Sequence, residues 1–411
     1  MARSILSHVC SNRGNEIHVL FDTYVPSSLK ESERRLRGAD DRPFVISGPE
    51  QAPKQSCQKL LQNGIFKDQL AKCLLKEWQE DHYGPILDKK TLVVSHGGNC
   101  SRFIFSDLNS KMNVENPGHL QGKHEEADTL LAFHASNVDG NVMVRASDTD
   151  VLVILLGMIG RRMKSNMSSN WIIMDCGSGN NRRYIDVSCI AAALEAKQDG
   201  LAAAMPGLHA FTGCNYTAAF YRKVKPLEIL EKDAEGTFIE FFDSMTSREE
   251  PNQMKAEEFV CSLYGVKDVK DVNEARYAKL LLMTGKINQE NPLASVKKID
   301  CTLLPPCART LCNKTKRAHF VSIVWGHADS SHPDQGLDPL NYGWKDKNGC
   351  YVPDWFSGPA VPDYLFLKGN VSERAVDLGN DQPDLAAEFD DVHDASSELP
   401  WSDDSESETE M

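Results

Sequence analysis

The sequence predicts an α/β protein whose core is a parallel β-sheet flanked by helices. Over residues 1–225, short apolar segments typical of buried strands alternate with longer segments in which apolar residues recur at helical spacing. Strands separated by helices pair in parallel, because the chain crosses back over the sheet between them. We expect three parts: an α/β domain at 1–225, a mainly helical and loop-rich region at 226–378, and a disordered acidic tail at 379–411.

The predicted strands are short and rich in β-branched or aromatic residues. In chain order they are EIHVLFDTY (16–24), KTLVVSH (90–96), GNVMVRAS (140–147), NWIIMDC (170–176) and RRYIDV (182–187). The predicted helices between and after them are VPSSLKESERRLRG (25–38), residues 53–80, HEEADTLLAFHASNV (124–138), DTDVLVILLGMIGRR (148–162) and SCIAAALEA (188–196). A serine near the start of the first helical segment is a suitable N-cap.

The net charge of −14 is concentrated near the end of the chain. Residues 381–411 contain twelve of the 59 acidic residues and no Lys or Arg, which leaves 47 acidic against 45 basic residues elsewhere. A segment with so much charge and so few apolar residues buries too little surface to fold, so we expect disorder there. The nearly neutral body remains compatible with a nucleic-acid partner.

The sequence also indicates an intracellular protein, in the nucleus or the cytoplasm, with no membrane partner. No segment approaches the ~20 apolar residues of a membrane helix, and the N-terminus lacks the features of a signal peptide. The twelve cysteines are scattered, without a Cys-x-x-Cys pair, as expected for thiols in a reducing compartment.

Acidic residues occur where predicted strands end or predicted helices begin. Asp22 closes the first strand, and Asp148 and Asp150 follow the third. Glu126 and Asp128 open the helix between the second and third strands. Residues two apart point the same way only in extended chain, so each pair belongs at a strand–helix junction. Because ligands of parallel sheets bind at the carboxyl ends of the strands, we expect these carboxylates to meet in one pocket.

Several carboxylates in one pocket require a compensating positive charge. At 4 Å and an effective dielectric constant near 20, each like-charged pair costs about 4 kcal/mol, a large share of a domain's net stability of ~5–15 kcal/mol. Oxygen ligands select Mg²⁺ or Mn²⁺, and two such ions about 4 Å apart are the usual apparatus for phosphodiester cleavage. The alternative is that each acid only caps a helix, as acids at helix starts commonly do.

Other polar residues carry weaker indications. Asp175, at the end of the fourth predicted strand, is a candidate sixth acid. His124, His134 and His209 lie in helical patterns, where a packed or capping role is favoured over a catalytic one. The segment CGSGNN (176–181) lacks the lysine of a phosphate-binding loop, so we expect a hairpin turn there.

Four motifs, in matching order along the chain, resemble those of the flap-endonuclease and XPG-type nucleases, which have a PIN-like fold. EEADT (125–129) resembles their Glu-Ala-Glu motif, and SDTDVLVIL (147–155) resembles their Asp-x-Asp motif. GCNYT (213–217) resembles their Gly-x-Asp-Tyr motif. LFDTYVPSSLKESERRLR (20–37) resembles their Phe-Asp segment with its trailing basic residues.

A looser similarity is to a poorly characterised animal group of PIN-like proteins, which are thought to derive from mobile elements. MPGLHAFTGCNYT (205–217) carries this similarity, and it extends through YGWKDKNGCYVPDWFSGP (342–359).

The nuclease resemblance covers roughly residues 16–225. It implies a PIN-like domain that cleaves phosphodiester bonds of DNA or RNA with two Mg²⁺ or Mn²⁺ ions. The implied catalytic and metal-binding residues are Asp22, Glu126, Asp128, Asp148 and Asp150, with Asn215 as a further metal ligand. The implied nucleic-acid contacts are Lys30, Arg34, Arg35, Arg222, Lys223 and Lys225. For these basic residues a solvated helix face is the alternative interpretation.

Departures from the family pattern predict an activity that is reduced or lost. The family has an aspartate at the end of its very first strand, whereas no aspartate precedes Asp22 here, which a missing upstream segment would also explain. Asn215 replaces the aspartate of the last motif and is a neutral ligand. The glycine-rich turn that follows this motif in the family is absent as well.

Three functions therefore remain open. The first is a metal-dependent nuclease. The second is a non-catalytic PIN-like module that binds nucleic acid or a protein. The third is a haloacid-dehalogenase-like phosphatase that uses Asp148 and Asp150 as nucleophile and acid; it is disfavoured because Ser147 separates Asp148 from the strand and no later lysine motif is evident.

Overall fold

The structure is a computed structural model of the full chain. It describes residues 1–12, 14–36, 38, 42–48, 51, 56–167, 170–223, 225–266, 268–284, 300–356 and 358. Met1–Ser357 form one compact unit. The acidic tail predicted at 379–411 lies outside the described residues. Among the described residues, none of the helices combines the length and apolar character that crossing a membrane requires.

The first sheet contains four strands in chain order. They are β1 (Glu16–Leu20), β2 (Thr91–His96), β3 (Asn99–Ser106) and β4 (Lys111–Glu115). β1 pairs with β2 in parallel, and the remaining pairs are antiparallel. The sheet packs on a small core around Trp78, Leu87 and Phe103, which are fully buried.

The second sheet contains three strands, β5 (Val142–Arg145), β6 (Ile172–Cys176) and β7 (Arg183–Asp186). β5 and β6 are parallel, and β6 and β7 are antiparallel. The expected hairpin turn over CGSGNN is confirmed, since it connects β6 to β7. One face of this sheet is buried in the main core through Val144, Ile172 and Met174.

The predicted α/β class is confirmed, but the described strands form two mixed sheets and a separate two-stranded antiparallel sheet rather than one parallel sheet. Each mixed sheet contains a single parallel pair. The short turns that lead into β3, β4 and β7 permit only antiparallel pairing. The Gly97–Gly98 turn between β2 and β3, for example, has φ values of +60° and +82°, which suit a two-residue hairpin.

Helices surround both sheets. The helices of the N-terminal part are α1 (Ala2–Cys10), α2 (Leu29–Leu36), α3 (Cys57–Leu60), α4 (Gly64–Glu77), α5 (Gly84–Leu87), α6 (Ala127–Ser136), α7 (Thr149–Lys164), α8 (Val187–Lys197) and α9 (Leu201–Thr212). The C-terminal part has α10 (Pro226–Lys232), α11 (Thr237–Ser244), α12 (Gln253–Leu263), α13 (Val272–Thr284) and α14 (Ala308–Gly326), followed by the hairpin β8 (Trp344–Lys347) and β9 (Cys350–Pro353).

The predicted change to consecutive helices after residue 225 is observed, within the same compact unit. α14 packs against both α7 and α9, so the C-terminal helices share the main core. Close approach of α9 to its neighbours requires glycine. A Cβ added at Gly160 of α7 would lie 2.6 Å from the Ala203 nitrogen, and one at Gly207 would lie 2.1 Å from the Phe242 carbonyl oxygen.

Candidate active site

Asp22 joins the end of β1 to the start of α6. Its Oδ1 accepts a hydrogen bond from the Ala127 N–H at 2.9 Å, and the neighbouring Thr23 N–H donates to the Glu125 carbonyl, also at 2.9 Å. The first four N–H groups of a helix have no partner within it, so a carboxylate here satisfies one of them. Asp22 and Glu126, 104 residues apart in numbering, therefore lie side by side.

Lys30 of α2 lies among the acids. Its Nζ is 2.8 Å from Oε1 of Glu126, and the two side chains are only 22% and 13% exposed. Burial alone would lower the pKa of Lys30, but the carboxylates of Glu126, Asp22 and Asp128 raise it above its usual value. The lysine is therefore a fixed positive charge within the acidic cluster.

Asp128 is the most perturbed of the predicted acids. Burial, reinforced by the Glu126 carboxylate and then by Asp148 and Asp22, raises its pKa to about 7. Burial also raises the pKa of Asp148, and the carboxylates of Asp150 and Glu126 act in the same direction. Asp148, which follows the second sheet, therefore interacts electrostatically with Glu126 and Asp128 at the start of α6.

Asp148 and Asp150 are fixed at the start of α7. Asp148 is the N-cap, and its Oδ1 accepts from the Asp150 N–H at 2.9 Å. The buried Asp150 carboxylate is 2.8 Å from Nε2 of His209 on α9, and that imidazole stacks on Trp325 with ring centroids 5.8 Å apart. The capping interpretation of Asp148 is thus correct, and it is compatible with a place in the cluster.

Tyr216 completes the neighbourhood from the turn after α9. Its hydroxyl donates to Oε1 of Glu126, and burial together with that carboxylate raises the pKa of Tyr216 well above its usual value. Glu125 lies next to them, and burial raises its pKa to about 7. Among the described residues, Oε1 of Glu125 is buried without a hydrogen-bond partner.

The five predicted carboxylates thus lie in one electrostatic neighbourhood, but the described residues do not show them gathered in the expected metal-binding pocket. We call Asp22, Glu126, Asp128, Asp148 and Asp150 the acidic cluster. Within the described part of the chain, no three His, Cys, Asp or Glu side chains are arranged closely enough to hold one metal ion. The donor set nevertheless fits Mg²⁺ or Mn²⁺ by its chemistry, because carboxylate oxygens are the ligands that these ions prefer. Burial, together with neighbouring carboxylates, raises the pKa of Asp128 and Asp148, and a bound cation would offset that penalty on their charged forms.

Of the basic residues of α2, Lys30 and Arg34 contact the acidic cluster. Nη2 of Arg34 lies 3.2 Å from Oδ2 of Asp22, and its guanidinium sits 4.4 Å from the centre of the Tyr24 ring. Arg35 bonds to Glu31 and, at 3.3 Å, to Sγ of Cys350 on β9. The phosphate contacts implied for Lys30, Arg34 and Arg35 remain predictions.

The second basic group lies between α9 and α10. Arg222 sits over the Tyr221 ring at 5.1 Å, and Lys223 sits over the Tyr264 ring at 4.3 Å. Nζ of Lys225 is 3.1 Å from Oε1 of Glu228. These contacts involve neighbouring aromatic and acidic side chains rather than the acidic cluster, and the implied nucleic-acid role of the three residues stays a prediction.

Asn215, the implied sixth metal ligand, is exposed in the turn that Cys214 and Thr217 close. It lines an open cleft of about 590 Å³, together with Glu33 of α2 and side chains of the β8–β9 hairpin. Its neighbour Tyr216 makes the contact with Glu126 instead. In the described structure, the motif GCNYT thus meets the acids through its tyrosine.

Of the three histidines predicted to be packed, two are buried away from the acidic cluster and one contacts it. Burial lowers the pKa of His124 to about 4 and that of His134 to about 3, as expected of packed imidazoles. His209, predicted to be packed as well, also contacts Asp150 of the acidic cluster. Asp175 is not part of the cluster, because its carboxylate is occupied by Arg145 and Arg182.

No protein-family model, curated protein or solved structure matches the chain.

Proposed function

We propose that the chain is a PIN-like, divalent-metal-dependent nuclease-like protein that acts on nucleic-acid phosphodiester bonds through the acidic cluster. The observation that supports this most strongly is the meeting of acids from β1, α6 and the β5–α7 junction around Lys30. Holding several carboxylates together without an ion is costly, and such arrangements are typical of metal-dependent phosphoryl chemistry.

Carboxylates of the acidic cluster would supply the ligands of the metal. When bound, Mg²⁺ or Mn²⁺ lowers the pKa of coordinated water and stabilises charge on phosphate oxygens. The chain itself fixes the ligands. The Asp150 N–H orients Asp148, His209 orients Asp150, and the hydroxyl of Tyr216 orients Glu126. Such fixed partners hold carboxylates in position and tune their affinity for a cation.

A non-catalytic binding module is the second candidate, and specific contacts favour it. Lys30 and Arg34 already supply positive charge to Glu126 and Asp22, and the exposed Asn215 amide replaces an aspartate of the family motif. The phosphatase interpretation has less support, because β5 ends at Arg145 and Asp148 caps α7 rather than extending the strand.

The test is cleavage of labelled single-stranded and branched DNA and of single-stranded RNA by the full chain with Mg²⁺ or Mn²⁺. We expect divalent-dependent cleavage that is lost both in Asp148→Ala with Asp150→Ala and in the gentler pair Asp148→Asn with Asp150→Asn, since asparagine retains capping ability. The control is Asp139→Asn at an exposed loop position.

Cleavage at an unchanged rate in both double variants would refute a catalytic role for the acidic cluster. Tight nucleic-acid binding without cleavage, with or without Mn²⁺, would select the non-catalytic module. Hydrolysis of a generic phosphate monoester in place of a diester would select the phosphatase.

A further inference from the structure

The second sheet leaves one of its faces exposed. The register places Arg145 of β5, Asp175 of β6 and Tyr184 of β7 in one row across the three strands. Because side chains alternate along a strand, this row lies on the face opposite to the buried Val144 and Met174. Arg145 and Tyr184 are exposed, whereas Asp175 is buried between them.

Asp175 holds two arginines in fixed positions on this face. Its Oδ1 accepts from Nη1 of Arg145 at 2.8 Å and from Nε of Arg182 at 2.9 Å, and its Oδ2 accepts from Nη2 of Arg182 at 2.7 Å. The Asp175 side chain is 3% exposed, and the arginine side chains are 54% and 44% exposed. One carboxylate thus anchors two guanidinium groups, and the group carries an excess positive charge at the surface.

The guanidinium groups retain capacity for an anion. An arginine has five N–H donors, and these hydrogen bonds use two of Arg145, with Asp175 and the Gly177 carbonyl, and two of Arg182. Planar, pre-positioned guanidinium groups suit phosphate recognition. Lys30 and Arg34, by contrast, are directed at carboxylates of the acidic cluster.

Aromatic surface lies beside these arginines. The Tyr184 side chain is 59% exposed, and the Arg182 guanidinium sits 5.4 Å from its ring centre. At the other end of β6 from Asp175, Trp171 is 46% exposed. A basic surface with exposed aromatic rings is the usual design for single strands, because phosphates pair with the charges and unstacked bases stack on the rings.

This face is joined to the acidic cluster by a short segment of chain. β5 ends at Arg145, and three residues later Asp148 caps α7. The intervening Ser147 hydroxyl accepts from the Gly177 N–H at 3.1 Å, which ties the β6–β7 loop to the same junction. A nucleic-acid strand bound at Arg145 would therefore lie only three protein residues from Asp148, at one end of the acidic cluster.

We propose that the exposed face of the second sheet binds single-stranded nucleic acid, with backbone phosphates at Arg145 and Arg182 and a base stacked on Tyr184. The identity of the ligand rests on the proposed function. A nucleic acid is a better ligand for this face than a protein, because the fixed charges of the face are guanidinium groups beside an exposed aromatic ring. The acidic cluster near the same face is suited to phosphodiester chemistry.

The test is fluorescence anisotropy of labelled oligo(dT) and oligo(rU) with the full chain in EDTA, so that binding is measured without cleavage. We expect Tyr184→Ala to weaken binding about tenfold, as loss of one stacked base does. Arg145→Gln with Arg182→Gln should weaken it at least tenfold and reduce the slope of log K against log salt by about 0.7 for each phosphate that the variant no longer neutralises. The matched controls are Tyr277→Ala, an exposed tyrosine of α13, and Lys197→Gln, an exposed cation paired with Glu231.

Thermal melting confirms that each variant folds, and Tyr184→Ala removes only an exposed ring, so it remains informative if the arginine pair destabilises the chain. Wild-type affinity in both variants, or a wild-type chain that binds neither oligonucleotide, overturns the proposal. Self-association that Tyr184→Ala abolishes, without oligonucleotide binding, assigns the face to a second copy and also overturns it.

The outcomes separate this proposal from the proposed function. If the chain cleaves nucleic acid while both variants bind normally, the binding face is wrong and the nuclease stands. If both variants lose affinity but the wild-type chain never cleaves with Mn²⁺, the face is right and the chain is a binding module.

Discussion

Replacing Asp128 with asparagine tests how crowded the acidic cluster is without a metal ion. Burial, followed by the carboxylates of Glu126 and Asp148, raises the pKa of Asp128 from its usual 3.8 to about 7. Above that pH, the folded chain holds an ionised carboxylate at a cost that the unfolded chain does not have. The cost is roughly 4 kcal/mol, at about 1.4 kcal/mol for each tenfold change in proton affinity.

The sign of the pH dependence follows from the direction of the shift. Because the folded-state pKa lies above the unfolded value, the folded chain binds the extra proton between about pH 4 and pH 7, and stability rises as the pH falls through this window. Asparagine has no charge to lose or gain. We expect Asp128→Asn to raise the free energy of unfolding by about 2–4 kcal/mol at pH 8 and by less than about 1 kcal/mol at pH 4.

The assay is urea unfolding followed by circular dichroism, in EDTA, at both pH values. Asp139→Asn is the control, because Asp139 is exposed in a loop and its replacement should change stability by less than about 0.5 kcal/mol. Destabilisation by Asp128→Asn at pH 8, or an equal gain at both pH values, would show that burial and the neighbouring carboxylates do not penalise the ionised Asp128 side chain as the structure indicates.

Three further predictions concern single features of the fold and are read out by urea unfolding. Asp148→Ala and Asp148→Ser both remove the carboxylate, but only serine keeps an oxygen that can cap α7, so Asp148→Ala should be less stable than Asp148→Ser by about 1 kcal/mol; equal stabilities of the two variants would exclude the cap. Asp175→Asn weakens the bonds to Arg145 and Arg182 and should cost about 2–3 kcal/mol at pH 7. Those bonds lower the pKa of Asp175, so the stability that its carboxylate contributes is lost as the pH falls below about 4 and the carboxylate takes up a proton. The free energies of unfolding of the variant and the wild type should therefore converge at low pH, and a difference that persists would show that the ionised carboxylate is not its cause. Gly207→Ala places a Cβ 2.1 Å from the Phe242 carbonyl and should cost about 3 kcal/mol, whereas Gly118→Ala, which meets nothing within 4 Å, should be nearly neutral; similar effects of the two would contradict the packing.

The elements that sequence predicts well are those with local signals. Residues 16–20, 91–96, 142–145, 172–176 and 183–186 are observed as strands within predicted segments. The single helix predicted at 53–80 is wrong: within the described residues it is two helices, α3 and α4, because the Asn63 side chain accepts from the Phe66 N–H and caps the start of α4. The β8–β9 hairpin also has a local signal in the sequence, because Asn348–Gly349 is a favoured two-residue turn, and both residues have positive φ.

Other elements depend on tertiary packing. The helix α9 contains Pro206, a residue that normally interrupts helices. Pro206 is buried against Gly157 of α7, where an added Cβ would lie 2.3 Å from the proline ring. β3 and β4 gave no apolar run of the kind that marks a buried strand, because their side chains are largely half-buried or exposed.

In the candidate site, too, some features follow from local sequence and others depend on tertiary packing. The rule that acids at strand–helix junctions meet was sufficient to predict the acidic cluster. The partners of those acids were not predictable, because Lys30, His209 and Tyr216 reach them from α2, α9 and the turn after α9. Motif spacing favoured Asn215 as the contact, whereas the turn directs the adjacent tyrosine to Glu126.

The most direct measurement of the central claim is a calorimetric titration of Mn²⁺ into the full chain and into Glu126→Gln with Asp128→Asn. If the acidic cluster is a divalent-cation site, the wild-type chain gives a saturable binding heat that the double variant loses, while Asp139→Asn retains it. Saturable binding of equal affinity in the double variant, or no binding by the wild-type chain, would contradict the claim.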